Sequence, residues 1–183
     1  QSEKLLNFED KNHEIFSIVK NSNLSQILEK NLYKSKYFSR INLVKKINFF
    51  QKYSLVINTD SSNEITKKYF SKKFTKKYNS FAYTVVIEHE NCKNDVATQI
   101  FTKKGPIAFL PISNKETSIV YSINNLDYQS EETISNLIRI YNFKYKIKKI
   151  NKVHFFELNS LDLRSYYEGK ILAFGDLLHR IHP

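Results

Sequence analysis

The stretch Lys170-Ile-Leu-Ala-Phe-Gly175-Asp176-Leu-Leu-His179-Arg-Ile-His182-Pro183 decides how the rest of the chain is read. Apolar residues at consecutive positions predict a strand buried on both faces, as in a parallel sheet. Gly175 at its carboxyl end lets a ligand or a second backbone come close. Asp176 then stands at the mouth of the sheet, in the crevice where open α/β sheets bind ligands. A carboxylate there accepts hydrogen bonds from sugar-like hydroxyls, or caps the helix that follows. A purely structural turn has the same sequence, so the motif needs support from elsewhere.

Two other segments supply it. Ala97-Thr-Gln-Ile-Phe101-Thr-Lys-Lys-Gly105-Pro106-Ile-Ala-Phe109-Leu110-Pro111-Ile-Ser113 reads as strands broken at Gly105-Pro106, with a polar turn at Asn114-Lys115-Glu116. Tyr53-Ser-Leu-Val-Ile-Asn58-Thr59-Asp60-Ser61-Ser62-Asn63 is a short apolar run opening into a polar loop. In order along the chain, these strings resemble the FAD-dependent aromatic hydroxylases, and most closely their ubiquinone-biosynthesis branch. In that family a strand ends in Gly-Asp-Ala-Ala-His and runs on to a proline. Gly175, Asp176, His179 and Pro183 match it, while Leu177 and Leu178 replace the two small residues. The family's Gly-Pro-x-Ala-x-Leu-Pro hairpin is matched by Gly105, Pro106, Ala108, Leu110 and Pro111. Asp60 matches the acid of its Gly-Ala-Asp-Gly motif, with Asn58 and Ser61 in place of glycines. Residues 18–28 resemble the segment entering a helix beside the flavin, where Asn21 makes a polar contact or opens the helix.

The resemblance implies a mixed α/β (α+β) fold of the p-hydroxybenzoate-hydroxylase type. Residues 1–77 would form part of a Rossmann-like FAD-binding domain, 78–160 an antiparallel substrate sheet, and 161–183 the return to the FAD domain. It implies FAD as cofactor, with NAD(P)H or a redox partner as electron donor. The reaction would be hydroxylation of a small aromatic or prenylated phenol, a ubiquinone precursor, by molecular oxygen through a flavin C4a-hydroperoxide. Gly175, Asp176, Pro183, Asp60 and Asn21 are the implied cofactor contacts. Phe101, Phe109 and Leu110 are the implied substrate contacts, with strand parity deciding which of them face the ligand. The cofactor carries the chemistry, so no side chain is assigned as catalytic. The only glycines are Gly105, Gly169 and Gly175, so the family's Gly-x-Gly-x-x-Gly turn is missing. Its Gly-Gln-Gly helix start is missing too, and an internal fragment, inactive by itself, is expected. A cytoplasmic location is expected, with peripheral association at the inner membrane or with a biosynthetic complex.

The net charge of +11 is concentrated at residues 67–78 and 144–152, where lysines are interleaved with aromatics. Three readings stand: a solvated face in a Lys- and Asn-rich chain, an anionic membrane surface, or nucleic acid. The last gives the alternative function, a non-enzymatic basic module that stacks bases on Tyr69, Phe74 or Tyr78. A hydrophobic fraction of 41% and an aromatic fraction of 14% suffice for a core. No run reaches the roughly 20 apolar residues of a membrane span. Cys92, the single cysteine, excludes an internal disulfide and reads as an incidental thiol. His179 and His182 lack further ligands nearby, so no metal is assigned. His89 reads as part of a solvated charge cluster with Glu88 and Glu90.

Helices are expected at 24–33, capped by Ser22 or Asn23, and at 131–141, capped by Ser130. Strands are expected at 40–50, 53–57, 81–88, 97–102, 107–112, 118–123, 148–158 and 170–174.

Overall fold

The computed structural model describes residues 6–10, 13–41, 52–124 and 128–180. Its helices are α1 (Asn21–Leu32), α2 (Glu64–Tyr69) and α3 (Glu131–Tyr141). Its strands are β1 (Val56–Asn58), β2 (Lys73–His89), β3 (Thr98–Thr102), β4 (Gly105–Ser113), β5 (Glu116–Ile123), β6 (Ile147–Ile150), β7 (His154–Leu163), β8 (Tyr167–Glu168), β9 (Ile171–Ala173) and β10 (His179–Arg180).

The larger sheet is antiparallel, in the order β10-β7-β2-β5-β4-β3, with β6 also paired to β2. Side chains alternate along each strand, so Tyr83, Val85 and Ile87 share a face with Ile107, Phe109, Ile119, Tyr121 and Ile123. Onto this face α3 lays Ile134 and Ile138, four apart and both fully buried. This is the main core. Ser130 caps α3 as the sequence predicts, its Oγ accepting a hydrogen bond from the Thr133 amide at 3.2 Å. Ser130→Ala is therefore expected to lower stability by about 1 kcal/mol in chemical denaturation. An unchanged midpoint would contradict that role.

The smaller sheet runs β1-β9-β8. β1 and β9 are parallel, in the register Val56↔Ile171, Ile57↔Leu172 and Asn58↔Ala173. The apolar run at 170–174 thus joins a parallel pair, but it is not buried on both faces. Ala173 is buried and Ile171 and Leu172 are half-buried. Phe174 and the neighbouring Ile57 are 57% and 56% exposed, because the second core covers one side of this short sheet. Ile65, Phe70, Leu161, Leu163, Ala173 and Leu177 form a second core beside this sheet. Two regions of the chain, 56–70 and 161–178, close that core together.

Several elements differ from expectation. α2 is unforeseen, because its six residues are too few and too polar to show a periodicity. It forms because the Asn63 side chain accepts a hydrogen bond from the Thr66 amide at 2.9 Å while Ile65 is buried. The strand expected at 148–158 is two strands, β6 and β7, with the Asn151 amide donating to the Val86 carbonyl between them. β2 starts at Lys73, well before residue 81. Its register shifts between Lys77 and Phe81, and Asn79 takes φ +53° there. The β3–β4 turn lies at Lys103-Lys104, and Gly105-Pro106 open β4. α1 starts at Asn21 after Lys20, with no side-chain cap, so Ser22 and Asn23 lie inside its first turn. The strand expected at 53–57 narrows to β1, and most of the one expected at 40–50 falls outside the described residues.

Candidate functional site

Because β1 and β9 are parallel, their carboxyl ends lie at the same edge of the small sheet, where the Phe174 amide donates to the Asn58 carbonyl at 2.9 Å. Asn58 is buried, and its Nδ2 donates to Thr66 Oγ1 at 2.8 Å while its Oδ1 accepts from Asn63 Nδ2 at 2.7 Å. Thr66 Oγ1 in turn donates to the Asp60 carbonyl. This polar knot folds the loop from β1 into α2. The Asp60 carboxylate accepts hydrogen bonds from the Ser62 hydroxyl at 2.6 Å and the Ser62 amide at 2.7 Å. Those bonds, the hydroxyl first, hold its pKa below the usual carboxylate value.

On the β9 side, Gly175 takes φ +67° and opens a single 3₁₀ turn, Gly175–Leu177, closed by the Leu178 amide donating to the Gly175 carbonyl. Asp176 is exposed, and its carboxylate engages no partner among the described residues. Leu177 points the other way, into the second core at 1% exposure, and Leu178 packs against the same core. The two bulky residues thus anchor the turn from behind. His179 follows on β10, its Nδ1 2.9 Å from Asp162 Oδ1 and its ring edge-on to Tyr166.

Gly175, Asp176 and Asp60 are therefore brought to one end of one parallel pair. Pro183 lies outside the described residues. Asn21 is elsewhere: the adjacent Lys20 reaches Glu116 at 2.9 Å, opposite Glu88 near the far end of β2. The Asp176 turn leads into β10, which lies against β7 where β7 pairs with Phe74 and Thr75. At about 3.3 Å per residue, those two places are up to roughly 45 Å apart along β2.

Strand parity separates the three expected substrate contacts. Phe109 is fully buried under α3, against Phe143 and Tyr145, so it cannot face a ligand on the other side of the sheet. Phe101 and Leu110 do lie on that other face, on which no described helix packs. The register aligns Gln99, Ala108, Val120, Thr84 and His154 in a row across it, and Phe156 stands beside Ala82. The row is small and apolar at its centre and polar at both ends.

His89 is not solvated. It is 3% exposed, with Nδ1 2.8 Å from the Glu90 carbonyl and Nε2 3.0 Å from Thr117 Oγ1. Asn94 Nδ2 donates to Thr117 Oγ1 at 3.0 Å, and the Tyr145 hydroxyl donates to Asn94 Oδ1 at 2.8 Å. Each polar side-chain atom of His89, Thr117, Asn94 and Tyr145 has a partner, which makes this a structural network. The alternation of Tyr83, Val85 and Ile87 was the signal that His89 points inward. Cys92 lies half-buried beside it, Sγ 3.7 Å from Nδ1.

Burial pushes the Tyr145 phenol above its ordinary pKa. A raised folded-state pKa stabilises below the unfolded value, near 10, and that stability is lost as pH rises through the folded value. Tyr145→Phe is expected to cost about 1–2 kcal/mol at neutral pH, because Asn94 Oδ1 loses its donor. The variant's stability should fall less steeply above pH 10 than the wild type's. Equal alkaline slopes in paired denaturation curves would contradict this. Tyr121, raised chiefly by burial in the same way, contributes to the slope that remains.

The lysine clusters differ in their surroundings. In the second, Lys146 pairs with Glu90 at 3.4 Å and Lys149 with Glu88 at 3.6 Å. In the first, cations already sit over the rings that bases would stack on: Lys68 over Tyr69, Lys76 over Tyr78 and Arg164 over Phe74, at 4.5–5.1 Å. No group of metal-ligating side chains occurs among the described residues. No described helix is long and apolar enough to cross a membrane.

No protein-family model matches this chain, and no curated protein is significantly similar to it in sequence. Solved structures are similar to it in fold. It is similar to CmlS, a flavin-dependent halogenase, at 16% identity and TM-score 0.53, over 70% of this chain and 26% of that one. It is similar to the Diels-Alderase PyrE3 of pyrroindomycin biosynthesis at 14% identity and TM-score 0.54, over 70% and 30%. It is also similar to aklavinone-11 hydroxylase, whose structure holds FAD and aklavinone, at 9% identity and TM-score 0.50, over 68% and 26%. This chain spans 26–30% of the length of these proteins. Its mixed α/β architecture with a large antiparallel sheet is the fold they share in that region.

Proposed function

We propose that this chain is the central part of an FAD-dependent monooxygenase that hydroxylates an aromatic ring. One observation carries the reading. The shared carboxyl end of a parallel strand pair presents the Gly175-Asp176 turn, whose carboxylate has no partner among the described residues, beside an antiparallel sheet with one face on which no described helix packs. The residues present fit a flavin's polyhydroxylated chain. Asp176 is an exposed acceptor with no partner among the described residues, and Gly175 is exposed and has no side chain to hinder close approach. The FAD-bearing aklavinone-11 hydroxylase and the flavin-dependent halogenase share the fold.

In this reading Asp176 accepts hydrogen bonds from the ribityl hydroxyls, and Leu177 fixes the turn from the core side. Asp60, held by Ser62, shapes the neighbouring loop rather than offering a free carboxylate. Bound FAD would supply oxygen activation, with reducing equivalents from NAD(P)H or a redox partner. The protein supplies orientation and a dry surface for a phenol, a ubiquinone precursor in the reading we favour. The ring would lie over Ala108, Val120 and Thr84, with Phe101 and Leu110 nearby on the same face. Residues 1–77 and 161–183 would belong to the FAD domain and 78–160 to the substrate domain.

The test is to express residues 1–183 together with the sequence that flanks them in their reading frame. Co-purifying flavin and donor-dependent oxygen uptake with a hydroxylated product are expected. A stable protein that binds no flavin would refute the proposal.

A further inference from the structure

We propose that the basic ribbon formed by residues 72–77 of β2 and 159–164 of β7 docks on an anionic lipid bilayer. Beyond the register shift at residues 78–80, β2 leaves the α3-covered sheet and pairs only with β7, and Lys73 to Lys77 are all exposed. The sequence from Ile65 to Ile87 contains no acidic residue and includes Lys67, Lys68, Lys72, Lys73, Lys76 and Lys77. Of these, only Lys77 meets a carboxylate among the described residues, Glu157 at 3.4 Å. The acid on the ribbon itself, Asp162, is engaged by His179. Other carboxylates on neighbouring elements are Glu64 on α2, Glu168 on β8, Asp60 in the loop before α2 and Asp176 in the turn before β10; they lie outside the ribbon's own two strands.

Exposed aromatics accompany these cations: Phe74 at 59%, Tyr166 at 45% and Tyr167 at 68%. Lysines beside exposed aromatics suit a headgroup layer, where ammonium groups meet phosphate and rings settle at the boundary. Nucleic acid would need rings open for stacking, and Tyr69 and Tyr78 are half-buried and already carry Lys68 and Lys76. In the second lysine cluster, by contrast, two of the five lysines are paired, Lys146 with Glu90 and Lys149 with Glu88.

The experiment is vesicle flotation, using phosphatidylcholine vesicles with or without about one-third phosphatidylglycerol. Binding only to the anionic vesicles is expected, weakening at least tenfold as salt rises from about 50 to 300 mM. At roughly 1 kcal/mol per lysine, the triple variant Lys72→Glu/Lys73→Glu/Lys76→Glu should lose at least about 100-fold in affinity. The control triple Lys103→Glu/Lys104→Glu/Lys115→Glu makes the same change in net charge at the β3–β4 and β4–β5 turns. Equal loss in both would show that net charge alone acts, and would overturn the assignment. So would no binding to anionic vesicles, or tighter binding to a single-stranded DNA oligonucleotide than to the vesicles. All six positions are surface lysines, so unchanged melting temperatures would separate lost binding from lost folding.

Discussion

Gly105→Ala should destabilise the protein by about 3 kcal/mol or more, from overpacking and backbone strain together. Gly105 opens β4 with φ +136°, a conformation that side-chain-bearing residues rarely adopt. A Cβ built there would stand 2.1 Å from the Ser122 carbonyl oxygen and 3.1 Å from its carbon. Both are backbone atoms of β5 in the middle of the large sheet, so no flexible side chain can yield. The strands would have to separate next to Tyr121 and Ile123, which are part of the main core. Gly175→Ala is the natural comparison. Its φ of +67° brings backbone strain, but nothing lies within 4 Å of the added atom. It should cost about 1–2 kcal/mol. Denaturant titrations in which Gly105→Ala is no less stable than Gly175→Ala would contradict the register of β4 against β5.

Asp176→Ala should weaken FAD binding by about 10- to 150-fold, the loss of a hydrogen bond to a charged acceptor. It should leave stability nearly unchanged, because the carboxylate engages no partner among the described residues. That combination distinguishes a ligand contact from a structural turn. Asn58→Ala gives the opposite pattern. It breaks the knot with Thr66 and Asn63 and should destabilise the small sheet before affecting any ligand. An Asp176→Ala protein with full flavin occupancy would remove that residue from the site.

The strands of the large sheet were legible because Val, Ile, Tyr and Phe alternate between Gly, Pro and Asn breaks. The parallel strand near the carboxyl end was legible from its unbroken apolar run, but its two-sided burial was not met, since Phe174 and the adjacent Ile57 remain exposed. α2 was not, since one capping asparagine and one buried isoleucine decide it. The orientation of Phe109 was hidden because both faces of β4 are apolar, Ile107 and Phe109 on one side and Ala108 and Leu110 on the other. Only pairing with β5 and the position of α3 settle which face is buried. Leu177 and Leu178 stood out as departures from a small-residue pattern. Their inward direction depends on Leu161, Leu163 and Phe70, far away in the chain. Asn21 shows the limit of local resemblance, because the segment that carries it lies by the Glu116 end of the sheet.

The most direct test is FAD titration into isotope-labelled protein, with backbone amide shifts followed residue by residue. Saturable shifts are expected at Phe174, Gly175, Asp176 and Leu178 together with Asn58 to Ser62, and none at Asn21. Saturable binding that leaves both loops unmoved, or no binding in the intact reading frame, would contradict a flavin site at the shared end of β1 and β9.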